Sequence, residues 1–527
     1  MCSKRKPYYL CLVLLSVVNS VSTARILGIF PIVSPSHQVV FKSYIQEIAK
    51  KGHELVIITP DPINDSNLKN LTEINIISMY GPLIETLSKI KRYYKRGVIM
   101  DGSAVVDAEI YNHLLEGLVE AYSHPDVIKL INDKQQKFDL IVVEGFFEYQ
   151  LIFSEIFKAP VIMFSSFMGF PRHYEMMGAI GKHPLYYPNF HRTNYENLGI
   201  WGTLRELYNE YRFYQATLET EKYQDELLKK NFGPNAPTTS KLKKNVDLLF
   251  LSVHPMLANN RPIPPNIIYL HAPHLKPVKE LPMDLKTYLD DSKTGVIYVS
   301  LGTNVNPVLM DKEFYDVFMK AFENLPYDIL WKFDGEDISG VPKNVKVYKW
   351  FPQWDLLHHP NIKVFVTQAG IQSTSEAIDA GVPLVGVPMG AEQFYNAQKF
   401  VDFKIGLKLD TLTLTADDLE QGVKTVFENK SYKYNIVKLG RILQDSSEEP
   451  LERAVWWTEY VLRHGGAKHL RPLAADASIS EYYMLEYVFL ILGSLTCALL
   501  LVLLGLYLAI KSILGSSKRK INAKNKS

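Results

Sequence analysis

The chain has 527 residues, 47% of them apolar and 22% charged, which exceeds one ordinary core and predicts two folded domains rather than a disordered or fibrous chain. Its net charge of +2 hides a split: three of the 58 basic residues lie in the first 24 positions and six in the last 17, leaving 49 against 56 acidic residues between Arg25 and Ile510. So acidic a body excludes a nucleic-acid partner, and with cysteines only at Cys2, Cys11 and Cys497 it also excludes disulfides, thiolate catalysis and cysteine–zinc sites.

In chain order, Lys4-Arg5-Lys6 precede the apolar run from Leu10 to Val18, and the small residues Ser22-Thr23-Ala24 predict a secretory signal over 1–24, removed before Arg25. A βαβ unit follows. Its strands are ILGIFPIV and HELVIITP, and its helix carries Val40, Tyr44, Ile45, Ile48 and Ala49 at helical spacing before a stop at Gly52. Strands FDLIVVE (138–144) and PVIMFSS (160–166) continue the pattern, and alternating strands and helices mean a doubly wound parallel sheet. Residues 171–240 interrupt it with Tyr, Phe, Asn and charged residues and with helical stretches around 203–230; such an excursion reads as a functional cover over a binding site. Pro262, Pro264, Pro265, Pro273, Pro277 and Pro282 make 261–283 an extended interdomain connection.

A second βαβ series has strands GVIYVSL, DILWKF, VKVYKWF, IKVFVT and LVGV, followed by the helix ERAVWWTEYVLRH. Val488 to Ile510 holds 23 residues without a charge, which as a helix cover about 35 Å against a hydrocarbon core of about 30 Å. This predicts one membrane span. The basic residues after it (Lys511, Lys518, Arg519, Lys520, Lys524, Lys526) set the tail in the cytosol. Asn64, Asn70 and Asn429 head glycosylation sequons on the opposite side, while the sequon at Asn525 falls in the tail.

The stretch Phe365 to Gln393, FVTQAGIQSTSEAIDAGVPLVGVPMGAEQ, carries the chemistry. A strand end and the turn Ala369-Gly370 lead into a helix read as opening at Ser373, whose first amide groups lack helical partners and can hold a phosphate. Glu376 lies in that helix, Pro383 and Pro388 flank the strand LVGV, and Glu392-Gln393 mark the next strand-to-helix corner. Together these residues resemble the signature of the UDP-glycosyltransferase family. The order of parts is similar to membrane-anchored members of the insect type, which Gln368 after Thr367 and the run QFYNA support. The resemblance implies an α/β GT-B fold, two doubly wound Rossmann-like domains facing a cleft. An acceptor domain is expected over 25–275 and a UDP-sugar domain over 285–455. A helix and connection (456–486), a transmembrane helix (487–510) and a cytosolic tail (511–527) complete the chain.

The resemblance also assigns roles. Trp350 and Gln353 match W-x-P-Q, where the indole stacks on uracil and the amide answers its polar edge. Gln368 takes a position often held by histidine beside the diphosphate, and as a neutral amide it donates without charge assistance. Gly370 and Ser373 suit the phosphates, Glu376 the ribose hydroxyls, and the turn Ser300-Leu301-Gly302-Thr303 the phosphates again. Glu392-Gln393 stands where the family places Asp-Gln on the transferred sugar, with Asn396 and Gln398 near enough to assist. His37, after Ser34-Pro35-Ser36 at the end of the first strand, matches the catalytic base; an imidazole ordinarily titrates near pH 6.5 and so accepts a hydroxyl proton near neutrality. Glu144, ending FDLIVVE, takes the place of the carboxylate that orients this histidine. Arg261 matches an arginine linked to sugar recognition in both glucose- and glucuronate-using members, and LHAPH (270–274) departs from the family's usual hinge.

The expected function is an inverting transfer of a hexose, glucose by preference, from a UDP-sugar to a hydroxyl of a small lipophilic acceptor. No metal and no cofactor is called for, the UDP-sugar being a co-substrate; a homo-oligomer is left open. Alternatives are a non-catalytic membrane protein that binds UDP-sugar or lipophiles, and a UDP-glucuronate-using transferase. Lys524 and Lys526 stand one place out of register with the family's dilysine retrieval signal. The expected location is the endoplasmic reticulum membrane, single-pass type I, with luminal catalytic domains.

Overall fold

A computed structural model describes residues 23–81, 94–95, 98–99, 108–190, 192, 198–303, 312–333 and 340–524, so the expected signal, apart from Thr23 and Ala24, and the sequon at Asn525 lie outside the described residues. Met1–Leu470 form one compact unit and Arg471–Ser527 a second. Within the first unit the chain builds two parallel sheets.

The first sheet contains β1 (Arg25–Ile29), β2 (Glu54–Thr59), β3 (Leu71–Asn75), β4 (Leu140–Glu144), β5 (Val161–Ser165), β6 (Val246–Leu251) and β7 (Ile267–Tyr269), in the order β3-β2-β1-β4-β5-β6-β7. Its central strands β4, β5 and β6 are buried at every position, which is why they read as unbroken apolar runs rather than as alternating ones. Leu27 of β1 sits opposite Val56 on one side and Ile141 on the other. The strand order reverses there. Such a reversal opens a crevice at the carboxyl ends of β1 and β4, where open α/β sheets bind ligands.

The second sheet contains β8 (Val296–Ser300), β9 (Asp328–Lys332), β10 (Val345–Tyr348), β11 (Ile362–Thr367), β12 (Leu384–Gly386) and β13 (Gly406–Lys408), in the order β10-β9-β8-β11-β12-β13. Its reversal falls between β8 and β11. The turns after these two strands are the ones the sequence marks as phosphate-binding.

Six helices recur below. In α1 (Pro35–Lys50), proline occupies the first turn, where its missing N–H costs nothing, and Val40, Phe41, Tyr44, Ile45 and Ile48 are buried. Phe41 stacks on Phe30 with ring centroids 4.4 Å apart. The interruption of the first sheet is dominated by a 34-residue helix, α2 (Gly199–Phe232), longer than the stretch around 203–230 that the sequence suggests. The others are α3 (Ile371–Ala380), α4 (Gln393–Asp402), α5 (Pro450–His464) and α6 (Leu485–Lys524). Although α5 follows the second sheet in sequence, it packs on the first: Ala454, Val455 and Val461 share a core with Val40, Phe41 and Tyr44. The Tyr44 hydroxyl lies 2.8 Å from Thr458 Oγ1, and Asp247 accepts from the amides of Ala467 at 2.8 Å and Val161 at 3.0 Å. In the second unit, Leu485–Ser516 of α6 is long and apolar enough to cross a membrane.

The proline-rich connection differs in one respect from the sequence reading. Residues 267–269 add an edge strand, β7, to the first sheet, because the prolines before it stand outside the three residues that pair with β6. Among the sequons, Asn64 and Asn429 are exposed, whereas the Asn70 amide nitrogen donates to Ala49 O at 2.8 Å and His53 O at 2.7 Å; a glycan on Asn70 requires breaking at least one of those bonds.

Buried histidines give the fold an acid limit. His173 is fully buried, and burial, helped by the nearby Arg172, pushes its pKa down to about 3. The unfolded chain therefore binds more protons: this contribution to stability is complete above about pH 6.5 and is lost as pH falls toward about 3. At about 1.4 kcal/mol per pH unit, His173 withdraws about 2 kcal/mol between pH 6.5 and pH 5. Glu175 and Glu210, pushed up by burial, act in the opposite direction, so the measurement is a difference. Denaturant unfolding of wild type and His173→Gln at pH 7 and pH 5 should show a shallower acid loss in the variant. Equal losses would contradict a neutral buried imidazole.

Candidate functional site

The first sheet's side of the crevice is assembled because β1 and β4 are neighbours. His37 lies in the first turn of α1 rather than at the end of β1, since five residues of loop separate the strand from the helix. Glu144 is the last residue of β4. Their side chains meet, His37 Nδ1 standing 3.2 Å from Glu144 Oε1, while Glu144 Oε2 accepts the Ile32 amide at 3.1 Å. Gln38 donates to Phe30 O at 2.9 Å and Ile32 O at 2.8 Å, and Gln150 Nε2 donates to Glu144 O, so the loop and the strand end are both held. With Nδ1 on a buried carboxylate, the other ring nitrogen, Nε2, is the one left to meet a substrate proton. Beside it stands an aromatic wall: Phe167 lies 6.2 Å from the His37 ring and packs on Phe170 and Phe190 at 5.2 and 5.9 Å.

On the second sheet's side, β8 ends at Ser300, and the chain turns through Gly302 at φ +79°. A side chain at position 302 would place its Cβ 2.0 Å from Gln368 Nε2, so the glycine makes room for the amide after β11. Gln368 Oε1 and Thr303 Oγ1 are buried polar atoms with no hydrogen-bond partner among the described residues, and such orphans are rare unless a ligand or water answers them. Ala369 holds the left-handed conformation at φ +67°, a strained state for a residue with a Cβ, and its carbonyl accepts Asn396 Nδ2 at 2.9 Å. Gly370 then caps α3 with no side-chain bond to the first amides. The helix begins at Ile371, two residues before the predicted opening at Ser373, because Gly370 is itself the cap.

The Ser373 hydroxyl and the Glu376 carboxylate stand one turn apart on α3, and Gln353 bridges them. Gln353 Nε2 lies 2.9 Å from Ser373 Oγ and 2.6 Å from Glu376 Oε2, and the Tyr298 hydroxyl donates to Gln353 Oε1 at 3.0 Å. His274, from the segment LHAPH, approaches Glu376 Oε1 at 3.4 Å. Trp350 lies just past β10 with 64% of its surface exposed, so its face is open to a stacking partner; Lys332 Nζ is 5.8 Å from the ring and donates to Gly302 O at 2.9 Å.

Glu392 caps α4. Burial pushes its carboxyl pKa up, while its own backbone amide and the charge of His37 pull it back, so these residues from the two sheets share one electrostatic environment. Gln393 Oε1 accepts the amides of Met389 and Gly390 at 2.8 and 3.0 Å, leaving only its NH2 end for a further partner. Gln398 turns along its own helix to Asp402 at 3.2 Å. Arg261 is held within the first sheet's layer: Nη1 donates to Gly181 O at 2.7 Å, and the guanidinium lies 3.9 Å over the Tyr174 ring. Across the crevice, Gln372 Nε2 donates to Ser166 O at 2.9 Å and ties the start of α3 to the end of β5.

Several of these participants are not singled out by the sequence reading, among them Tyr298, Gln38, Gln150, Gln372, Lys332 and Phe167. Tyr298 carried a usable signal, standing two residues before Ser300 on the same strand face. The others act through contacts that no local pattern announces.

The chain matches the family described as UDP-glucoronosyl and UDP-glucosyl transferase over residues 27–520. It is 39% identical over 492 residues, 90% of this chain and 95% of the relative, to the ecdysteroid UDP-glucosyltransferase of Spodoptera littoralis nuclear polyhedrosis virus. It is 30% identical over 496 residues, 91% and 92% of the two chains, to UDP-glucosyltransferase 2 of Dactylopius coccus. Among solved structures, glycosyltransferase VinC in complex with dTDP aligns with a TM-score of 0.56 at 18% identity, covering 84% of this chain and 100% of that one. A UDP-glucose: anthocyanidin 3-O-glucosyltransferase in complex with UDP aligns at 0.54 and 16% identity, covering 83% and 99%. These two likenesses concern the fold, which is GT-B with two parallel Rossmann-like sheets. The match across nearly the whole length means that the chain belongs to the UDP-glucuronosyl and UDP-glucosyl transferase family.

Proposed function

We propose that the protein is an inverting transferase that moves glucose from UDP-glucose to a hydroxyl of a small lipophilic acceptor, a steroid being the class that the viral relatives' name indicates. The observation that carries it is the His37–Glu144 pair at 3.2 Å on one side of the crevice, with the Ser373–Gln353–Glu376 network on the other. In this reading the acceptor O–H gives its proton to His37 Nε2 while the oxygen attacks the anomeric carbon. The bond from that carbon to the UDP oxygen breaks as the new C–O bond forms, and UDP leaves with the electron pair. Its developing charge falls on the uncapped α3 amides and the Gly302 turn, as electrostatic stabilisation requires. Glu144 holds the proton of Nδ1 and stabilises the imidazolium. Trp350 stacks on uracil, Gln353 answers its edge, Glu376 takes the ribose, and Glu392 with the NH2 end of Gln393 takes the sugar. None of these steps calls on a metal or cofactor.

Glu144→Gln can keep the hydrogen bond to His37, giving up the one from the Ile32 amide, but removes the charge opposite the imidazolium, so kcat is expected to fall on the order of 10²-fold with little change in the acceptor KM. An unchanged kcat would leave Glu144 a purely structural strand end.

Glucose is favoured over glucuronate because Glu392 would stand near the donor's C6 carboxylate, and Arg261 is engaged with Gly181 O and Tyr174. The apolar helix is taken as a membrane anchor, and with the leader and the basic tail it supports a type I orientation in the endoplasmic reticulum, the folded body in the lumen. The test is a competition in membranes holding the protein: UDP-glucose and UDP-glucuronate at equal concentration with a panel of phenols, flavonoids and steroids. Glucosides are expected. Preferential glucuronide formation overturns the donor assignment, and no conjugate from either donor overturns transfer itself.

A further inference from the structure

The outward face of α2 changes character along its length. Its later exposed positions are Glu219, Lys222, Glu226, Lys229 and Lys230, the composition of an ordinary solvated face. Earlier, the exposed positions are Ile200, Trp201, Leu204, Leu207, Tyr208 and Tyr211, with Trp201 81% and Ile200 74% exposed. The charges standing out among them are Arg205 and Arg212. Arg205 comes only within 4.0 Å of Glu206 and keeps 67% of its side chain exposed. The carboxylates of this stretch turn inward: Glu206 is buried and meets Arg192 at 3.4 Å, and Glu210 meets Lys182 at 3.9 Å. The opposite face of the helix, with Phe213, Ala216 and Leu227, already buries what the fold requires.

We propose that residues 200–218 form a membrane-docking face, which lies in the headgroup layer of a bilayer with its arginines reaching lipid phosphates. A helix with Trp, Tyr and Leu on one side and arginine at the edge is built to lie in the plane of an interface, the aromatic rings at headgroup depth. The long arginine stems keep their charge in the polar layer while their methylenes cover apolar surface. The proposal rests on the anchored reading of α6. Only residues 471–484 separate the folded unit from the candidate span at Leu485, a tether of at most about 50 Å even when fully extended. A bilayer that near is presented to the face at high effective concentration. A second copy of the chain fits less well. Ile200, Leu204, Leu207, Tyr211 and Tyr214 do follow a coiled-coil spacing, but Trp201 and Tyr208 widen the strip beyond the narrow seam that a helix pair buries.

Cysteine labelling of the full chain in vesicles decides it. With Cys2, Cys11 and Cys497 replaced by alanine as background, single cysteines at Leu204, Tyr211 and, as control, Tyr434 (69% exposed on the helix Lys430–Gln444) carry an environment-sensitive fluorophore. Nitroxide on the lipid chains is expected to quench the labels at 204 and 211 several-fold more than the label at 434. Removing phosphatidylserine from the vesicles, or substituting Arg205→Glu and Arg212→Glu, should weaken docking about fivefold per arginine lost. Quenching at 204 and 211 by aqueous iodide to the same degree as at 434 overturns the proposal. So does protection from both quenchers accompanied by cross-links between chains, which would assign the face to a second copy. Carbonate extraction reports the anchor separately: release of the protein contradicts the span, while lipid quenching with the same vesicles still decides the face.

Discussion

Replacing His37 by alanine is expected to lower kcat by about 10²–10⁴-fold, the usual contribution of a positioned general base, while UDP binding is retained. The separation follows from where the parts sit. His37 is held by the first sheet through Glu144 and the loop that Gln38 fixes, whereas the proposed uracil, ribose and phosphate contacts stand on the second sheet and α3. Calorimetry with UDP and a turnover assay on one preparation test both halves. Turnover like wild type removes His37 as the base. Loss of UDP binding along with turnover would instead point to disruption of the crevice.

Glu376→Ala is expected to raise the KM for UDP-glucose by about 10²-fold, while the acceptor KM holds. The carboxylate accepts from Gln353 at 2.6 Å and approaches His274 at 3.4 Å, and in the proposed complex it also takes the ribose hydroxyls. Hydrogen bonds to a charged group contribute about 1.5–3 kcal/mol each, and about 3 kcal/mol corresponds to roughly two powers of ten in affinity. Glu376→Gln, which keeps the shape without the charge, should fall between. Should the donor KM stay put while thermal stability drops, Glu376 is a clamp on Gln353 and not a donor ligand.

The sequence exposes this architecture unevenly, and the reasons are physical. The central strands were legible because a parallel strand buried on both faces must be a run of Val, Ile, Leu and Phe, as in LIVVE and VIMFS. The short edge strand Ile267–Tyr269 was not, since three residues among prolines carry no period. His37 and Glu144 could be named because motif position singles out residues 107 apart in sequence, which the pairing of β1 and β4 then brings together. The start of α3 was misplaced because a glycine cap leaves less trace than a serine or aspartate would. Least legible were the bonds that fix the site. Tyr298 to Gln353 spans 55 residues and Gln372 to Ser166 spans 206, and such partners are set by tertiary packing alone. Gln393 shows the same limit: motif position names it as a sugar ligand, yet its carbonyl is occupied by the turn at Met389-Gly390.

The most direct measurement of the central claim is the anomeric configuration of the product. A single displacement driven by His37 inverts the anomeric carbon, so transfer from α-linked UDP-glucose should give only the β-glucoside, read by NMR from the large coupling of its anomeric proton. An α-glucoside would contradict the mechanism, because retention needs a second displacement that this arrangement does not provide.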